Sequence, residues 1–356
     1  MEKHNVTNNK IKVAVGLSGG VDSSVSALLL KKRGFDVTGV HMICWDYSME
    51  GCRGEEDRAD AVKIASQLDI PFKTLNYEEE YKAKVLENFY SEYKAGRTPN
   101  PDILCNKEIK FGLFLDWALS SGFDHIATGH YARVLEGKEG FELHMGKDKN
   151  KDQSYFLYRL TQDQLSHTIF PLGELTKDAV RSIAEKNGLV TANKPDSVGI
   201  CFIGDIDVKE FLQEKIPVHK GDVLNTKGEL IGTHDGVEFY TIGQRHGFNL
   251  DVYTGLPLYV IAKDVKNNTL IVGFASEGLS KEFVIEEVSF VAKSANMTKS
   301  AEVRIRHLGE LYNADFSYLN EKTYKAVLEQ KVKGVAPGQS AVIYTGTKVV
   351  GGGVIA

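Results

Sequence analysis

The first feature of this sequence that could do chemistry is a glycine- and serine-rich loop near its beginning. Residues 11–17 read IKVAVGL, a β-branched run that predicts a buried parallel strand, and SGGVDSS follows at residues 18–24. Glycines there let backbone N–H groups approach a polyphosphate, Ser18 and Ser23 add hydroxyl donors, and the following helix contributes partial positive charge. The loop is not a Walker A motif, because Asp22 replaces the lysine. It predicts binding of nucleotide phosphates, with Asp22 binding Mg²⁺ or shaping the loop, against the alternative of a plain helix cap.

Two further segments are predicted to end at the same edge of a sheet as the loop. Met42 closes the second predicted strand, and Gly129 follows the strand at residues 125–128. Ligands of a doubly wound sheet bind beyond the carboxyl ends of its strands. We therefore expect Met42 to pack on adenine and Gly129 to line the crevice, against the alternatives of a core methionine and a turn glycine. The predicted nucleotide contacts are Gly16, Leu17, Ser18, Gly19, Gly20, Val21, Asp22, Ser23, Met42 and Gly129.

Two cysteines lie in segments that could activate a thiol. Asp102 and Cys105 follow the prolines of residues 99–101, which predicts a position near the start of a helix. A helix N-terminus lowers the pKa of a thiol. Cys201 lies in the glycine-containing segment DSVGICF at residues 196–202. Taken singly, each cysteine is more often inert and buried than reactive.

Strand-like and helical runs alternate over the first part of the chain, which predicts a doubly wound parallel sheet. The helix that begins near Asp22 has a basic last turn and a glycine stop at Gly34. The expected strands are residues 11–17, 36–42, 72–75 and 125–128, and the expected helices are 22–33, 55–68, 79–94, 109–119, 162–166 and 177–187.

The sequence pattern changes after Pro217, where turn pairs such as Lys227-Gly228 separate short runs of alternating apolar and polar residues. Such runs predict β structure. Five of them, at residues 284–291, 301–307, 323–328, 340–344 and 349–355, fit a small barrel. We expect an α/β domain over residues 1–205, a central β-rich domain over 206–281 and a C-terminal β-barrel over 282–356.

Composition limits the class of protein. The 356 residues are 42% hydrophobic and 26% charged, as in folded globular proteins. The polar first residues and the lack of a long apolar run predict a cytoplasmic protein without a membrane span. Four cysteines are too few for a disulfide scaffold. The net charge of −5 argues against indiscriminate nucleic-acid binding, although local basic clusters such as Lys147, Lys149 and Lys151 allow selective RNA binding.

These motifs together resemble the bacterial tRNA-specific 2-thiouridylases of the PP-loop ATP pyrophosphatase superfamily. The resemblance covers essentially the whole chain and is carried by residues 16–24, 97–111, 127–133, 151–157, 197–204, 239–247 and 337–339. It implies an adenine nucleotide α-hydrolase-like domain that cuts ATP between its α- and β-phosphates. It also implies tRNA as substrate, Mg²⁺, and a sulfur donor protein, either a cysteine desulfurase or a sulfur-relay carrier. We expect a monomer.

The resemblance also implies roles for individual residues. Cys201 would carry a persulfide, Cys105 would be the partner thiol that leaves a Cys105–Cys201 disulfide, and Asp102 would act in acid-base chemistry or orient the base, with a plain helix cap as its alternative. Asn100, Pro101 and Asp102 would meet the target uridine. The implied tRNA contacts are His130, Lys151, Asp152, Gln153, Arg306, His307 and Gln339.

The sequence leaves several alternatives open. Cys44 and Cys52 depart from the family pattern, and the main interpretation is that neither has a function. A minority interpretation groups one of them with Cys105 and Cys201 around a metal or iron–sulfur cluster, although no Cys-x-x-Cys spacing supports this. Another PP-loop enzyme, such as an amide-forming synthetase or a different tRNA thiolase, would also explain the loop. A third hypothesis is a non-catalytic RNA-binding protein that uses ATP as a switch.

Overall fold

The computed structural model describes residues 10–45, 54–196, 199–251, 255–292 and 299–356. In these ranges, no helix is long and apolar enough to cross a membrane. The chain forms two compact units, one made of Met1–Tyr81, Asn106–Ser154 and Leu160–Asp205 and the other of Lys82–Cys105, Tyr155–Arg159 and Ile206–Ala356. The predicted division into three domains stays a prediction.

The secondary structure elements follow in chain order. The strands are β1 (Lys12–Gly16), β2 (Asp36–Ile43), β3 (Phe72–Asn76), β4 (His125–Ala127), β5 (Ala132–Gly137), β6 (Gly140–Met145), β7 (Thr168–Ile169), β8 (Gly221–Leu224), β9 (Leu230–His234), β10 (Asn249–Leu250), β11 (Tyr259–Asp264), β12 (Thr269–Gly273), β13 (Leu279–Phe290), β14 (Ser300–Arg304), β15 (Tyr312–Asn320), β16 (Thr323–Lys333), β17 (Ser340–Thr345) and β18 (Lys348–Ile355). The α-helices are α1 (Val21–Lys32), α2 (Gly54–Gln67), α3 (Glu78–Tyr81), α4 (Glu87–Lys94), α5 (Pro101–Leu104), α6 (Phe114–Ser120), α7 (Gln162–Ser166), α8 (Lys177–Lys186) and α9 (Val208–Gln213). π-Helical turns span Lys82–Leu86 and Cys105–Leu113, and 3₁₀ turns span Ser154–Leu157 and Val237–Phe239.

A five-stranded sheet in the order β3-β2-β1-β4-β7 forms the centre of the first unit. Each neighbouring pair in it is parallel. In β1 the four residues Val13–Gly16 are buried, because helices cover a parallel sheet on both faces. The predicted doubly wound sheet is confirmed.

The helices α1 and α8 pack in the same core cluster as this sheet. Val25 of α1 and the pair Val180 and Ala184 of α8, one helical turn apart, are fully buried there. The predicted stop of α1 is also confirmed, since Gly34 adopts a φ of +89° and the N–H of Phe35 donates to Leu30 O at 3.2 Å.

The hairpin β5–β6 was absent from the sequence-based prediction. Its strands pair antiparallel from Ala132 with Met145 to Gly137 with Gly140, and Gly140 takes the positive φ of +116° that the tight turn requires. The turn between the strands has the sequence Gly-Lys-Glu-Gly, which is typical of a surface loop, so no strand was predicted on either side of it.

The second unit is mostly β structure. One sheet has the order β10-β9-β8-β12-β11, in which β8 and β12 are parallel. The other is a closed six-stranded antiparallel barrel in the order β13-β16-β15-β14-β17-β18, closed by the pairing of β13 with β18. Its core includes Ile285, Val303, Leu328 and Ile343. The predicted C-terminal barrel is confirmed, with β15 as a strand that the sequence pattern missed.

Candidate active site

The glycine-rich loop joins β1 to α1 and depends on its glycines. Gly19 adopts a φ of +78°, and a Cβ on it would lie 2.1 Å from Asp57 O. Gly20 is the N-cap of α1 and supplies no side-chain hydrogen bond. The first amides of α1 therefore lack the usual side-chain cap, which is the arrangement that an anion-binding helix start requires.

The two predicted hydroxyl donors lie in this loop. Ser23 Oγ accepts from the N–H of Ser18 at 3.2 Å and donates to Gly20 O at 3.1 Å. The two hydroxyl oxygens of Ser18 and Ser23 are 3.2 Å apart. Because the Ser18 residue is exposed, its hydroxyl can turn toward an incoming ligand.

The sheet order reverses next to this loop. β1 neighbours both β2 and β4, so the carboxyl ends of β1 and β4 form the switch point at which doubly wound sheets bind ligands. A Cβ on Gly129, just after β4, would lie 2.9 Å from the N of Ser23. A Cβ on Gly16 would lie 3.4 Å from Cε of Met42. The predicted nucleotide residues Gly16, Met42, Ser23 and Gly129 therefore lie close together, and Gly129 lets the chain after β4 approach the backbone at the start of α1, where any side chain would collide with it.

Asp22 is not a helix cap, because the N-cap is Gly20. Its carboxylate accepts from the hydroxyl of Tyr131 at 2.8 Å and from the ammonium of Lys177 at 2.9 and 2.8 Å. Burial, followed by the charge of Asp22, raises the pKa of Tyr131, so this phenol remains a donor. The plain-cap interpretation of Asp22 is wrong.

Cys201 lies in a tight turn that glycines close. Ile200 and Gly204 form a two-way bridge, with N···O distances of 3.0 and 2.8 Å. A Cβ on Gly199 would lie 1.9 Å from Gly204 O. The Tyr81 hydroxyl donates to Cys201 O at 2.7 Å. The thiol of Cys201 is thus held on a defined turn and is partly exposed.

Cys44 lies just beyond β2 and is close enough to Cys201 for the two thiols to interact electrostatically. Burial, followed by the charge of Cys201, raises the pKa of Cys44. Cys44, Cys105 and Cys201 are all thiols in this structure. Cys52 lies outside the described residues.

The predicted base-contacting segment begins a helix in the second unit. The side chain of Asn100 is the N-cap and accepts from the N–H of Asp102 at 3.2 Å. Pro101 occupies the first helical turn, where proline is tolerated because its missing N–H would have no partner. Asp102 and Cys105 therefore lie in the first turns, as predicted, and the N-cap residue itself is Asn100. Gln339 donates to Thr98 O at 2.9 Å.

The predicted tRNA residues have varied environments. His130 is buried, and burial followed by the charge of Lys110 holds its pKa well below the usual value. Asp152 is buried and accepts from the N–H groups of Gly146 and Ser154, each at 3.1 Å. Lys151 is ion-paired with Asp196, and the side chain of Gln153 accepts from the N–H of Tyr131 at 3.0 Å. Arg306 is exposed, and the ring of His307 is tilted against that of Phe156. Their RNA contacts stay predictions.

Three residues of this site escaped the sequence-based prediction, namely Tyr81, Tyr131 and Lys177. Tyr131 lay inside the matching stretch 127–133, which was the only signal for it. Lys177 is 155 positions from its partner Asp22, so no local pattern could join them. Among the described residues, no group of three or more His, Cys, Asp or Glu side chains could hold a metal ion, and the cluster interpretation gains no support there.

A parallel sheet with a glycine-rich phosphate loop at its switch point defines a class of α/β nucleotide-binding proteins. Three family models match the chain in succession: "tRNA methyl transferase HUP domain" over residues 11–205, "tRNA methyl transferase PRC-barrel domain" over 209–274 and "Aminomethyltransferase beta-barrel domain" over 280–355. Within this class, the chain belongs to the family of tRNA-specific 2-thiouridylases, and the resemblance seen in the sequence is confirmed.

The relatives match along nearly their whole length. The tRNA-specific 2-thiouridylase MnmA of Listeria innocua is 46% identical over 354 residues, covering 98% of this chain and 95% of the relative. The protein of the same name from Bacillus subtilis is 44% identical over 353 residues, covering 97% and 94%. The U34-tRNA thiolase NcsA from Methanococcus maripaludis with its [4Fe-4S] cluster has a TM-score of 0.37 and 21% identity, covering 59% of this chain and 67% of that chain. A similarity this low transfers nothing about activity or cluster.

Proposed function

We propose that this protein catalyses ATP-dependent 2-thiolation of the wobble uridine of tRNA. The observation that carries the proposal is the convergence of the uncapped α1 start, Gly129 and Asp22 at the switch point of the parallel sheet. Relatives named tRNA-specific 2-thiouridylase support the choice of substrate. Methyl transfer, which the names of two matching domain models suggest, does not itself require a polyphosphate loop.

The first step activates the base. The 2-oxygen of uridine attacks the α-phosphorus of ATP, the bond from that phosphorus to the bridging oxygen breaks, and pyrophosphate leaves as the base loses its N3 proton. The amides of α1 and the hydroxyls of Ser18 and Ser23 would orient the phosphates. Asp22 would hold Mg²⁺, which when bound neutralises phosphate charge. Asp102 would accept the N3 proton or orient the base.

The second step brings in sulfur. The terminal sulfur of a Cys201 persulfide attacks C2, and AMP leaves. The Cys105 thiolate then attacks the inner sulfur of Cys201, which releases the 2-thiouridine and leaves a Cys105–Cys201 disulfide. In the alternative order, Cys105 attacks the persulfide first and frees sulfide, which then attacks C2. A thiol reductant restores both cysteines in either case.

The substrate contacts follow the family pattern. Asn100, Pro101 and Asp102 would meet the extruded uridine. A persulfide-bearing protein, either a cysteine desulfurase or a sulfur-relay carrier, would load Cys201. We also propose a monomer that works in the cytoplasm. The residues that would contact the rest of the tRNA are His130, Lys151, Asp152, Gln153, Arg306, His307 and Gln339.

Nucleoside analysis tests the proposal directly. Anaerobic incubation with ATP, unmodified tRNA and a persulfide donor should produce 2-thiouridine, and Cys201→Ser should abolish it while tRNA binding persists. Normal thiolation by Cys201→Ser would remove this residue from the mechanism. Asp22→Ala should lose ATP turnover with the fold retained.

Two alternatives predict other outcomes. An amide-forming PP-loop synthetase would release pyrophosphate with ammonia and a carboxylic acid, whereas this protein should respond to tRNA. A non-catalytic RNA-binding protein would bind ATP and tRNA without releasing AMP. Both are tested in the same assay by following AMP and pyrophosphate.

A further inference from the structure

Lys177 is a charged side chain held in a mostly buried position beside the phosphate loop. It is the first residue of α8, its N-cap is Thr176, and its side chain is 11% exposed. The ammonium lies 2.9 and 2.8 Å from the two carboxylate oxygens of Asp22. It also lies 2.9 Å from the Asp196 carboxylate. A buried ammonium needs such partners, since its desolvation is costly without them.

The two carboxylates that pair with Lys177, Asp22 and Asp196, differ in how many other partners they have. Asp196 also pairs with Lys151 at 2.6 Å and with Arg181 at 2.5 Å, so it keeps two cations if Lys177 moves away. Among the residues that the structure describes, Asp22 would keep only the neutral hydroxyl of Tyr131, at 2.8 Å. A divalent cation arriving at Asp22 would replace the charge that Lys177 supplies there. The ammonium can therefore leave both carboxylates once Mg²⁺ is bound.

The phosphate loop itself lacks a basic residue. Residues 17–24 read LSGGVDSS, and a Walker A loop would have its lysine where Asp22 stands. Phosphate groups in nucleotide sites are commonly neutralised by a lysine ammonium as a point charge. Asp22 is the loop residue that replaces that lysine, and the ammonium of Lys177 contacts it directly. Lys177 lies 155 positions further along the chain, on α8.

We propose that Lys177 is a phosphate-binding residue that contacts the β- and γ-phosphates of ATP and then the leaving pyrophosphate. This inference rests on the proposed function of the loop. With MgATP bound, Asp22 would be the residue that holds Mg²⁺, and the Lys177 ammonium would move from Asp22 onto the phosphate oxygens. As the bond between the α-phosphorus and the bridging oxygen breaks, Lys177 stabilises the charge that develops on pyrophosphate. AMP lacks those phosphates and makes no such contact.

The test compares ligands that contain or lack the β- and γ-phosphates. Titration calorimetry would measure MgATP, magnesium pyrophosphate and AMP against wild type, Lys177→Met, Lys177→Arg and the control Lys186→Met, whose side chain lies exposed in the last turn of the same helix. Lys177→Met should weaken MgATP and pyrophosphate by about tenfold or more, the size of one charge-assisted hydrogen bond. AMP should change by less than about twofold, Lys177→Arg should recover part of the loss, and Lys186→Met should match wild type.

The binding results distinguish a phosphate-binding role of Lys177 from a structural one. Equal losses for ATP and AMP would make Lys177 a structural support for Asp22 and would overturn the proposal, as would an unchanged Lys177→Met. Failure of the wild type to bind MgATP would instead contradict the proposed function of the loop.

A measurement on the wild type covers the case in which Lys177→Met does not fold. Acetic anhydride labelling, followed peptide by peptide, should show Lys177 protected by MgATP and by magnesium pyrophosphate and unprotected by AMP. Protection by AMP to the same degree, or no protection by MgATP, would overturn the assignment.

Discussion

At the scale of single residues, the partners of a carboxylate distinguish a chemical role from a helix cap. Gly20 and Asn100 are the N-caps of α1 and α5, and Asp22 pairs instead with Tyr131 and Lys177. The sequence predicted both carboxylates near helix starts, but cap positions vary by one or two residues and cannot be assigned without coordinates. It also could not identify Lys177, since ion pairs between distant segments leave no periodic pattern.

Cys44 should be less reactive than Cys201. It is 1% exposed, and burial with the nearby Cys201 raises its pKa, whereas the thiolate is the reactive form. We expect iodoacetamide at pH 8 to modify Cys201 at least about tenfold faster than Cys44, as measured by peptide mass spectrometry.

Two variants test whether Cys44 takes part in sulfur transfer or only lies near Cys201. Cys44→Ala should keep 2-thiouridine formation within about twofold of wild type, since a small apolar residue replaces a buried neutral thiol. Cys201→Ser is the inactive comparison. Loss of thiolation in Cys44→Ala with an unchanged melting temperature would show that Cys44 takes part in sulfur transfer.

Asp196 should make the stability depend on pH in the acid range. Burial would raise its pKa, but hydrogen bonds from Lys151 and Lys177 outweigh burial and lower the pKa to about 2. Because the folded-state pKa lies below that of the unfolded chain, about 3.9, the stabilisation is complete above about pH 4 and is lost as the pH falls toward 2. Asp196→Asn should therefore melt below wild type at pH 6, with the difference shrinking by pH 3. A difference that stays constant from pH 6 to pH 3 would contradict this account.

At the scale of elements, the sequence predicts best where the periodicity is strong and the ends are marked. The strand β1 and the helix α1 match their predicted ranges within one or two residues, because a β-branched run and Gly34 mark them. The strand β15 was missed because only Ala314 and Phe316 of its nine residues are buried. A strand with so few buried side chains lacks the alternation on which the prediction depends.

The turn that carries Cys201 should be far less tolerant of alanine than another glycine with the same backbone angle. Gly199 and Gly34 both have a φ of +89°, but a Cβ on Gly199 would lie 1.9 Å from Gly204 O whereas one on Gly34 meets nothing within 4 Å. Gly34→Ala should cost about 1 kcal/mol of stability and leave thiolation intact. Gly199→Ala should lower thiolation by about tenfold or more through displacement of the thiol. Equal activity of the two variants in the nucleoside assay would show that the turn geometry is dispensable.

At the scale of the whole molecule, charge sets how RNA can be held. The net charge is −5, so the protein has no overall excess of positive charge, and local groups of exposed cations must supply the attraction for a polyanion. The sequence predicted the fold class, the nucleotide loop and the barrel, because each has a local signature. It could not predict which basic residues act together on RNA, since that depends on how distant segments pack.

Arg306 is an exposed cation whose contribution to tRNA binding can be tested. It follows β14, next to His307, whose ring lies 4.2 Å from that of Phe156. If it contacts a tRNA phosphate, Arg306→Ala should weaken tRNA binding and reduce the slope of log affinity against log salt by about one, with MgATP affinity unchanged. The matched control is Lys331→Ala, which removes an exposed charge from β16 and should leave the slope as in wild type. The loss of one phosphate contact should be visible in filter binding at moderate salt. An unchanged slope for Arg306→Ala would assign RNA binding to a different basic cluster.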